Sequence, residues 1–255
     1  MNRRQFFLSG LPSITLGAAT SQSGTQLSGT QAFVLVHGAW HGGWCWTKVT
    51  KILRKEGFDV YTPTLTGLGE RSHLLRPEID LETHVTDVVS LLEFEDLHHV
   101  HLVGHSYGGM VISGVAERAA SRLKTLTFLD AFLPDDQKAL VEYVPKNDVF
   151  TTEWKLKPFG DAQAFGVVDP SDAAWVNKRL VEHPAKTFTQ KIKVTENSLD
   201  KGFILTSEAP WFLEAAERAK KRGFRFARLQ DAGHDAMITR PGELAKTLIQ
   251  FGKND

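Results

Sequence analysis

The strongest constraint on the fold of this chain is a rhythm. A short, continuous apolar run at residues 32–36 and similar apolar-rich runs at 58–61, 100–103, 126–129, 203–205 and 224–229 are separated by segments with a helical repeat. Unbroken apolar runs of this length suit strands covered on both faces, the setting of a parallel sheet. After Asp80, a good N-cap residue, Leu81, Val85, Val88 and Leu92 fall on one helix face. Near the end, Pro241 fits a first helical position and Leu244, Leu248 and Phe251 continue the repeat. Strands alternating with helices predict an α/β fold with a doubly wound, mostly parallel sheet. At 255 residues the chain has an ordinary length for one such domain.

Two stretches break the rhythm. Residues 134–197 contain no clean strand, yet Trp154, Phe159, Phe165, Trp175 and Phe188 are scattered through them. A structureless connection of that length is improbable in a compact domain, so an inserted, mostly helical cap is expected there, after the sixth strand of the sheet. Residues 1–30 begin with the pair Arg3–Arg4, followed by an apolar stretch broken by Ser9, Gly10 and Pro12 and ending at Gly17-Ala18-Ala19, then a Ser/Gly/Thr/Gln-rich linker. That is the layout of a twin-arginine signal peptide, which predicts bacterial export to the periplasm or beyond and a folded domain over residues 31–255. The apolar run is shorter than the ~20 residues needed to span a bilayer, so no stable membrane insertion is expected.

Composition removes several classes of function. Thirty basic and thirty acidic residues give zero formal net charge, which offers no electrostatic footprint for nucleic acid. The single cysteine, Cys45, can make neither an internal disulfide nor a thiolate metal cluster. Whether two copies pair as a homodimer is left open by the sequence.

The chemistry is concentrated at strand ends. The run 100–103 leads into Gly104-His105-Ser106-Tyr107-Gly108-Gly109, a G-x-S-x-G pattern between a predicted strand and a predicted helix. A serine there sits on a strained turn; the flanking glycines remove colliding Cβ atoms, and the hydroxyl is presented at the carboxyl edge of the sheet. Ser106 is therefore the candidate nucleophile. It needs a positioned base, and of the ten histidines His234 has the best placement, on a turn after the last strand and late in the chain. His98, His99 and His101 belong to the opposite edge. His37 and His41 could ligate metal if helical, but Gly38, Gly42 and Gly43 make their segment a loop. That loop, H-G-A-W-H-G-G-W, can turn a backbone N–H toward a substrate oxygen, and Tyr107, following the serine, supplies the second donor of an oxyanion hole.

Taken together, H-G-A-W-H-G-G-W, T-L-T-G-L-G-E-R at 64–71, G-H-S-Y-G-G-M and G-H-D-A-M resemble the α/β-hydrolase superfamily. Within it they are most similar to the plant methylesterase and hydroxynitrile lyase group and its bacterial carboxylesterase relatives. The resemblance covers roughly residues 32–252. It implies a serine esterase with Ser106 as nucleophile, His234 as base, Ala39 and Tyr107 as oxyanion donors, and neither metal nor organic cofactor. Hydroxynitrile lyases of this group carry a lysine after the catalytic histidine and a threonine in the first loop, where this chain has Asp235 and Gly38. That departure favours ester hydrolysis.

A second departure concerns the triad acid, an aspartate on the loop after the seventh strand in plant members. The corresponding stretch here is Leu205-Thr206-Ser207-Glu208-Ala209-Pro210. Two carboxylates could serve: Asp130, which ends an apolar run and would be costly there unless paired, and Glu208, on the usual loop. Asp130 is favoured. The tryptophans Trp40, Trp44 and Trp46 and the cap aromatics suggest an apolar pocket, so the expected reaction is cleavage of a neutral hydrophobic aryl or alkyl ester, a small molecule, through an acyl-enzyme on Ser106. The alternatives are a hydroxynitrile lyase and a non-catalytic module that binds a small ligand.

Overall fold

The computed structural model describes residues 31–253. The expected signal peptide lies outside them. A six-stranded sheet has the order β2-β1-β3-β4-β7-β8, built from β1 (Ala32–Val36), β2 (Asp59–Tyr61), β3 (Val100–His105), β4 (Leu123–Leu129), β7 (Asp200–Leu205) and β8 (Arg225–Arg228). All its pairings are parallel.

Side chains alternate across this sheet as a pleated strand requires. Val34, Val36, Leu102, Phe128, Phe203 and Leu205 face one core with α2 (Leu81–Phe94), α3 (Gly108–Ala119) and α7 (Pro210–Lys221). Phe33, Leu35, Val103, Leu129 and Ile204 face the other, with α1 (Thr47–Lys55), α8 (Ala236–Thr239) and α9 (Pro241–Gly252). The doubly wound arrangement follows directly, since both faces of each central strand are apolar and each needs a helical cover. Asp80 starts α2 by accepting the Thr83 N–H at 2.9 Å while the Thr83 hydroxyl reaches back to it, a capping box.

Between β4 and β7 the chain makes only short elements: α4 (Val149–Thr152), β5 (Lys155–Leu156), α5 (Pro170–Asn177), β6 (His183–Pro184) and α6 (Lys186–Thr189). Counted along this chain, the insertion follows the fourth strand rather than a sixth, because the described residues form six sheet strands and two come after it. It also contains a two-stranded antiparallel ladder, β5 with β6, that no apolar run announces. No helix among the described residues is long and apolar enough to cross a membrane.

Candidate functional site

Three strand ends and one loop converge at the carboxyl edge of the sheet. β3 ends at His105, Ser106 takes φ 54°, and α3 begins two residues later. A left-handed serine costs strain, which the surroundings hold in place. Its N–H donates to the Leu129 carbonyl at 3.2 Å, and its own carbonyl accepts from Gly109 at 3.0 Å and Phe132 at 3.1 Å. The two flanking glycines are dictated by crowding: a Cβ on Gly104 would lie 2.5 Å from the Gly108 carbonyl oxygen, and one on Gly108 would lie 2.9 Å from the carbonyl oxygens of Val36 and His37. The twelve-residue α3 points its N-terminus at this turn, favouring negative charge there.

His234 stands on the turn between β8 and α8, with its ring stacked on Phe212 at 4.9 Å between centroids and 9° between planes. Its Nδ1 donates to Asp130 Oδ2 at 2.7 Å, which leaves Nε2 as the acceptor nitrogen. Asp130 follows β4 at φ 42° and is fully buried. Burial alone would raise its pKa, but the hydrogen bond and charge of His234, with the Ser207 hydroxyl and the Thr206 N–H, hold it below the usual carboxylate value. Thr206 N and Ser207 N donate to Oδ1 at 2.9 and 3.1 Å, and Ser207 Oγ donates to Oδ2 at 2.5 Å.

Of the two candidate acids, then, the structure brings Asp130 to His234 and keeps Glu208 away. Glu208 is exposed and paired with Arg228. Its loop still serves the same place, supplying N–H and hydroxyl donors to Asp130 instead of a carboxylate to the imidazole. The roles of Thr206 and Ser207 were missed in the sequence, where a Thr-Ser pair at the place of the expected acid was the available signal.

The loop after β1 is shaped by histidines. His37 Nε2 accepts from the Leu65 N–H at 3.1 Å, so Nδ1 carries the proton and donates to the Gly38 carbonyl at 2.8 Å. That carbonyl belongs to the peptide whose N–H is that of Ala39. Burial holds His37 down to about 3, keeping it neutral in this role. His41 Nδ1 meets the Ala39 carbonyl at 2.8 Å, and its Nε2 meets Asp235 Oδ2 at 2.9 Å. Among the described residues neither the Ala39 nor the Tyr107 N–H has an acceptor, and both residues line the same cavity as Ser106 and His234. Tyr107 turns its side chain away from that cavity, its hydroxyl donating to His84 Nδ1 at 2.8 Å while His84 Nε2 donates to the Thr66 carbonyl.

The cavity encloses about 830 Å³ and its wall is mostly apolar, with Trp40, Phe132, Phe150, Phe188, Trp211 and Phe212 among the lining residues. Trp40 ties the loop to the insertion through its Nε1–H, which donates to the Leu156 carbonyl at 3.1 Å. Of the tryptophans expected in the pocket, Trp40 alone reaches it. Trp46 is completely buried in the core beneath, and Trp44 packs edge-on against Trp175 at 5.0 Å. Among the insertion's aromatics, Phe159, Phe165 and Phe188 line the cavity, whereas Trp154 is exposed.

Comparison with known proteins agrees with this fold. A profile of the alpha/beta hydrolase family matches residues 33–247. A carbendazim-hydrolysing esterase from Nocardioides sp. (strain SG-4G) is 37% identical over 242 residues, covering 86% of this chain and 99% of that protein. Methylesterase 10 of Arabidopsis thaliana is 27% identical over 249 residues, covering 86% of this chain and 90% of its own. Among solved structures, an extracellular alpha/beta-hydrolase from a Paenibacillus species superposes with a TM-score of 0.76 at 24% identity, over 88% of this chain and all of the other.

Proposed function

The chain belongs to the alpha/beta hydrolase family and to its carboxylic ester hydrolases, and from that premise we propose that it is a serine esterase acting on neutral, hydrophobic aryl or alkyl esters through an acyl-enzyme on Ser106. The observation that carries this reading is the 2.7 Å hydrogen bond from His234 Nδ1 to the buried Asp130, on the same cavity wall as a serine held at φ 54°.

The chemistry follows from the placement. Ser106 Oγ attacks the acyl carbon while His234 Nε2 takes its proton, and Asp130 stabilises the imidazolium that forms. The N–H groups of Ala39 and Tyr107 receive the oxyanion. Each such donor is typically worth ~10²–10³ in rate. The tetrahedral adduct collapses, the leaving oxygen takes the proton from His234, and the alcohol departs. Water then repeats the cycle: its proton passes to His234, and from there to Ser106 as the acid leaves.

Two features support an apolar substrate: the mainly apolar wall of the cavity and its size, which suits an aryl or medium-chain acyl group. A lyase reading is disfavoured by two residues. Asp235 spends its carboxylate on buried His41, and a Cβ on Gly38 would lie 2.9 Å from Ser106 Cβ, leaving no room for a threonine. The test is steady-state hydrolysis of p-nitrophenyl butyrate by the full chain beside Ser106→Ala. Sustained turnover abolished by the alanine is expected; a folded protein with no turnover would instead indicate a ligand-binding module. Export by the twin-arginine route is the companion proposal, supported by Arg3–Arg4 and the apolar stretch after them. Replacing both arginines by lysine should retain the protein in the cytoplasm of a bacterial host.

A further inference from the structure

Behind the candidate site lies a buried cluster built from the chain neighbours of its working parts. His105 precedes the nucleophile, Asp235 follows the base, and His41 stands two residues beyond Ala39. All three are buried. The hydrogen bonds of His41 fix its protonation state. Nδ1 faces a carbonyl oxygen and Nε2 a carboxylate oxygen, at 2.8 and 2.9 Å, and neither partner can donate in its usual form. Both ring nitrogens must therefore carry hydrogen, which makes the ring an imidazolium.

We propose that His41 and Asp235 form a buried ion pair that acts as a positioning unit, holding the oxyanion loop to the turn that bears His234, and that the pair works only while His41 is doubly protonated. The inference rests on the esterase reading of the preceding subsection for its kinetic consequence, but not for the ion pair itself.

Three observations carry it. The tether to the Ala39 carbonyl needs a proton on Nδ1 and the bond to Asp235 needs one on Nε2, so a neutral ring must release one partner. Asp235 has no other hydrogen-bonding use for its side chain: Oδ1 is buried without a partner, and the nearest cationic candidate, His105 Nε2, is 3.9 Å away and already donates to the His234 carbonyl at 3.1 Å. Finally, a buried ion pair is a weak device for stability, since an apolar pair of the same shape generally does as well, so its presence here calls for another role.

The surrounding groups leave the pair as the local charge. On the loop after β1, His37 is kept neutral by burial at about 3. On β3, burial and the nearby His234 hold His105 at about 3. In the short helical turn Gly43–Trp46, burial pushes the Cys45 thiol well up. From the insertion the Phe165 ring packs on His41, at 5.1 Å. Against its burial, the charge and hydrogen bond of Asp235 raise the pKa of His41, and Asp235 is held low by the same partner. Across the turn stand His234 and Asp130, already paired.

The Ala39 N–H acts on the oxyanion and not on the ground-state ester, so loosening its loop should reduce kcat with KM nearly unchanged. The experiment pairs two readouts on the full chain. Nitrogen-15 NMR of labelled histidine should show both His41 ring nitrogens protonated at pH 7. Its deprotonation on raising the pH should coincide with an alkaline fall in kcat. Asp235→Asn should leave His41 singly protonated at pH 7 and lower kcat about 10–100-fold, to the alkaline level of the parent, with no further alkaline limb. A singly protonated His41 in the parent at pH 7 would overturn the ion pair whether or not the protein turns over ester. A kcat profile in Asp235→Asn that matches the parent would overturn the positioning role. Should that variant fail to fold, the parent's NMR and kcat titrations still decide the matter, because non-coincident curves refute it.

Discussion

Acidification is the perturbation for which the structure sets the clearest magnitude. Burial holds His37 and His105 at about 3 and His84 and His101 at about 4, each with an ordinary value of 6.5. A histidine depressed in the folded state stabilises the fold above its unfolded pKa. That stability is lost as pH falls below 6.5 toward the folded value, because the unfolded chain takes up the proton first. At pH 5 each of the four has lost about 2 kcal/mol, and His183, which burial also holds well below its ordinary value, loses a similar amount, about 10 kcal/mol together against a total stability on the order of 5–15 kcal/mol. His41, raised by Asp235, runs the other way; its contribution is complete below 6.5 and adds little slope in this window. The depressed carboxylates Asp130 and Asp235 matter only as pH falls below their ordinary value of 3.8. With an m value of about 3 kcal/mol/M, the urea midpoint followed by tryptophan fluorescence should drop by about 3 M between pH 7 and pH 5. His101 is far from the candidate site, bonded to Thr125 Oγ1 at 2.9 Å. His101→Gln should lower stability at both pH values but remove about a fifth of the pH-dependent loss. A midpoint shift below about 0.5 M, or an unchanged shift in His101→Gln, would refute the reasoning.

Two further substitutions separate roles at the site. Asp130→Asn, which leaves His234 without its orienting carboxylate, should lower kcat by roughly 10⁴ with the fold retained, whereas Glu208→Gln, which loses only a surface pair with Arg228, should stay within about twofold; the reverse ranking in ester hydrolysis would move the acid to Glu208. Tyr107→Phe should retain kcat, because the oxyanion donor is backbone, yet cost about 1–3 kcal/mol in urea melts by stranding the buried Nδ1 of His84.

The sheet was legible because its signal is physical and local. A strand covered on both faces must be mainly apolar, as β1 is throughout and β3 and β4 are over half their length or more; their neighbours α2 and α9 must show one apolar face, and they do. The strand limits were read short where polar residues enter a buried strand: β4 begins at Leu123, with Thr125 and Thr127 inside it, and Thr125 is accommodated by the His101 ring. The insertion was the least legible part, and for a related reason. Its elements are four to eight residues long in the case of helices and two in the case of strands. Segments that short have no period to detect. They are held by tertiary contacts instead, such as the Trp40 Nε1–H on the Leu156 carbonyl and the Val181 N–H on the Trp40 carbonyl at 3.1 Å.

At the site, legibility followed the backbone. The turn at Ser106 was legible because a left-handed turn between strand and helix demands glycines at fixed offsets, and a demand on the backbone leaves a motif. Asp130 also sits at positive φ, at 42°, but no such spacing surrounds it, so only the cost of an unpaired carboxylate after an apolar run pointed to it. The donors that satisfy it, Thr206, Ser207 and His234, come from 76, 77 and 104 residues away. His41 and Asp235 are 194 residues apart. Pairings at such distances follow from the sheet order, which brings the ends of β1, β3, β4, β7 and β8 to one edge. A carboxylate on any of these ends therefore has several histidines within reach. What selects the partner is which loop can offer the remaining donors: Thr206 and Ser207 leave Asp130 one free direction, toward His234, while Asp235 on the next residue is turned inward to His41. Two acids beside one base coexist because each has its own imidazole partner, His234 for Asp130 and His41 for Asp235.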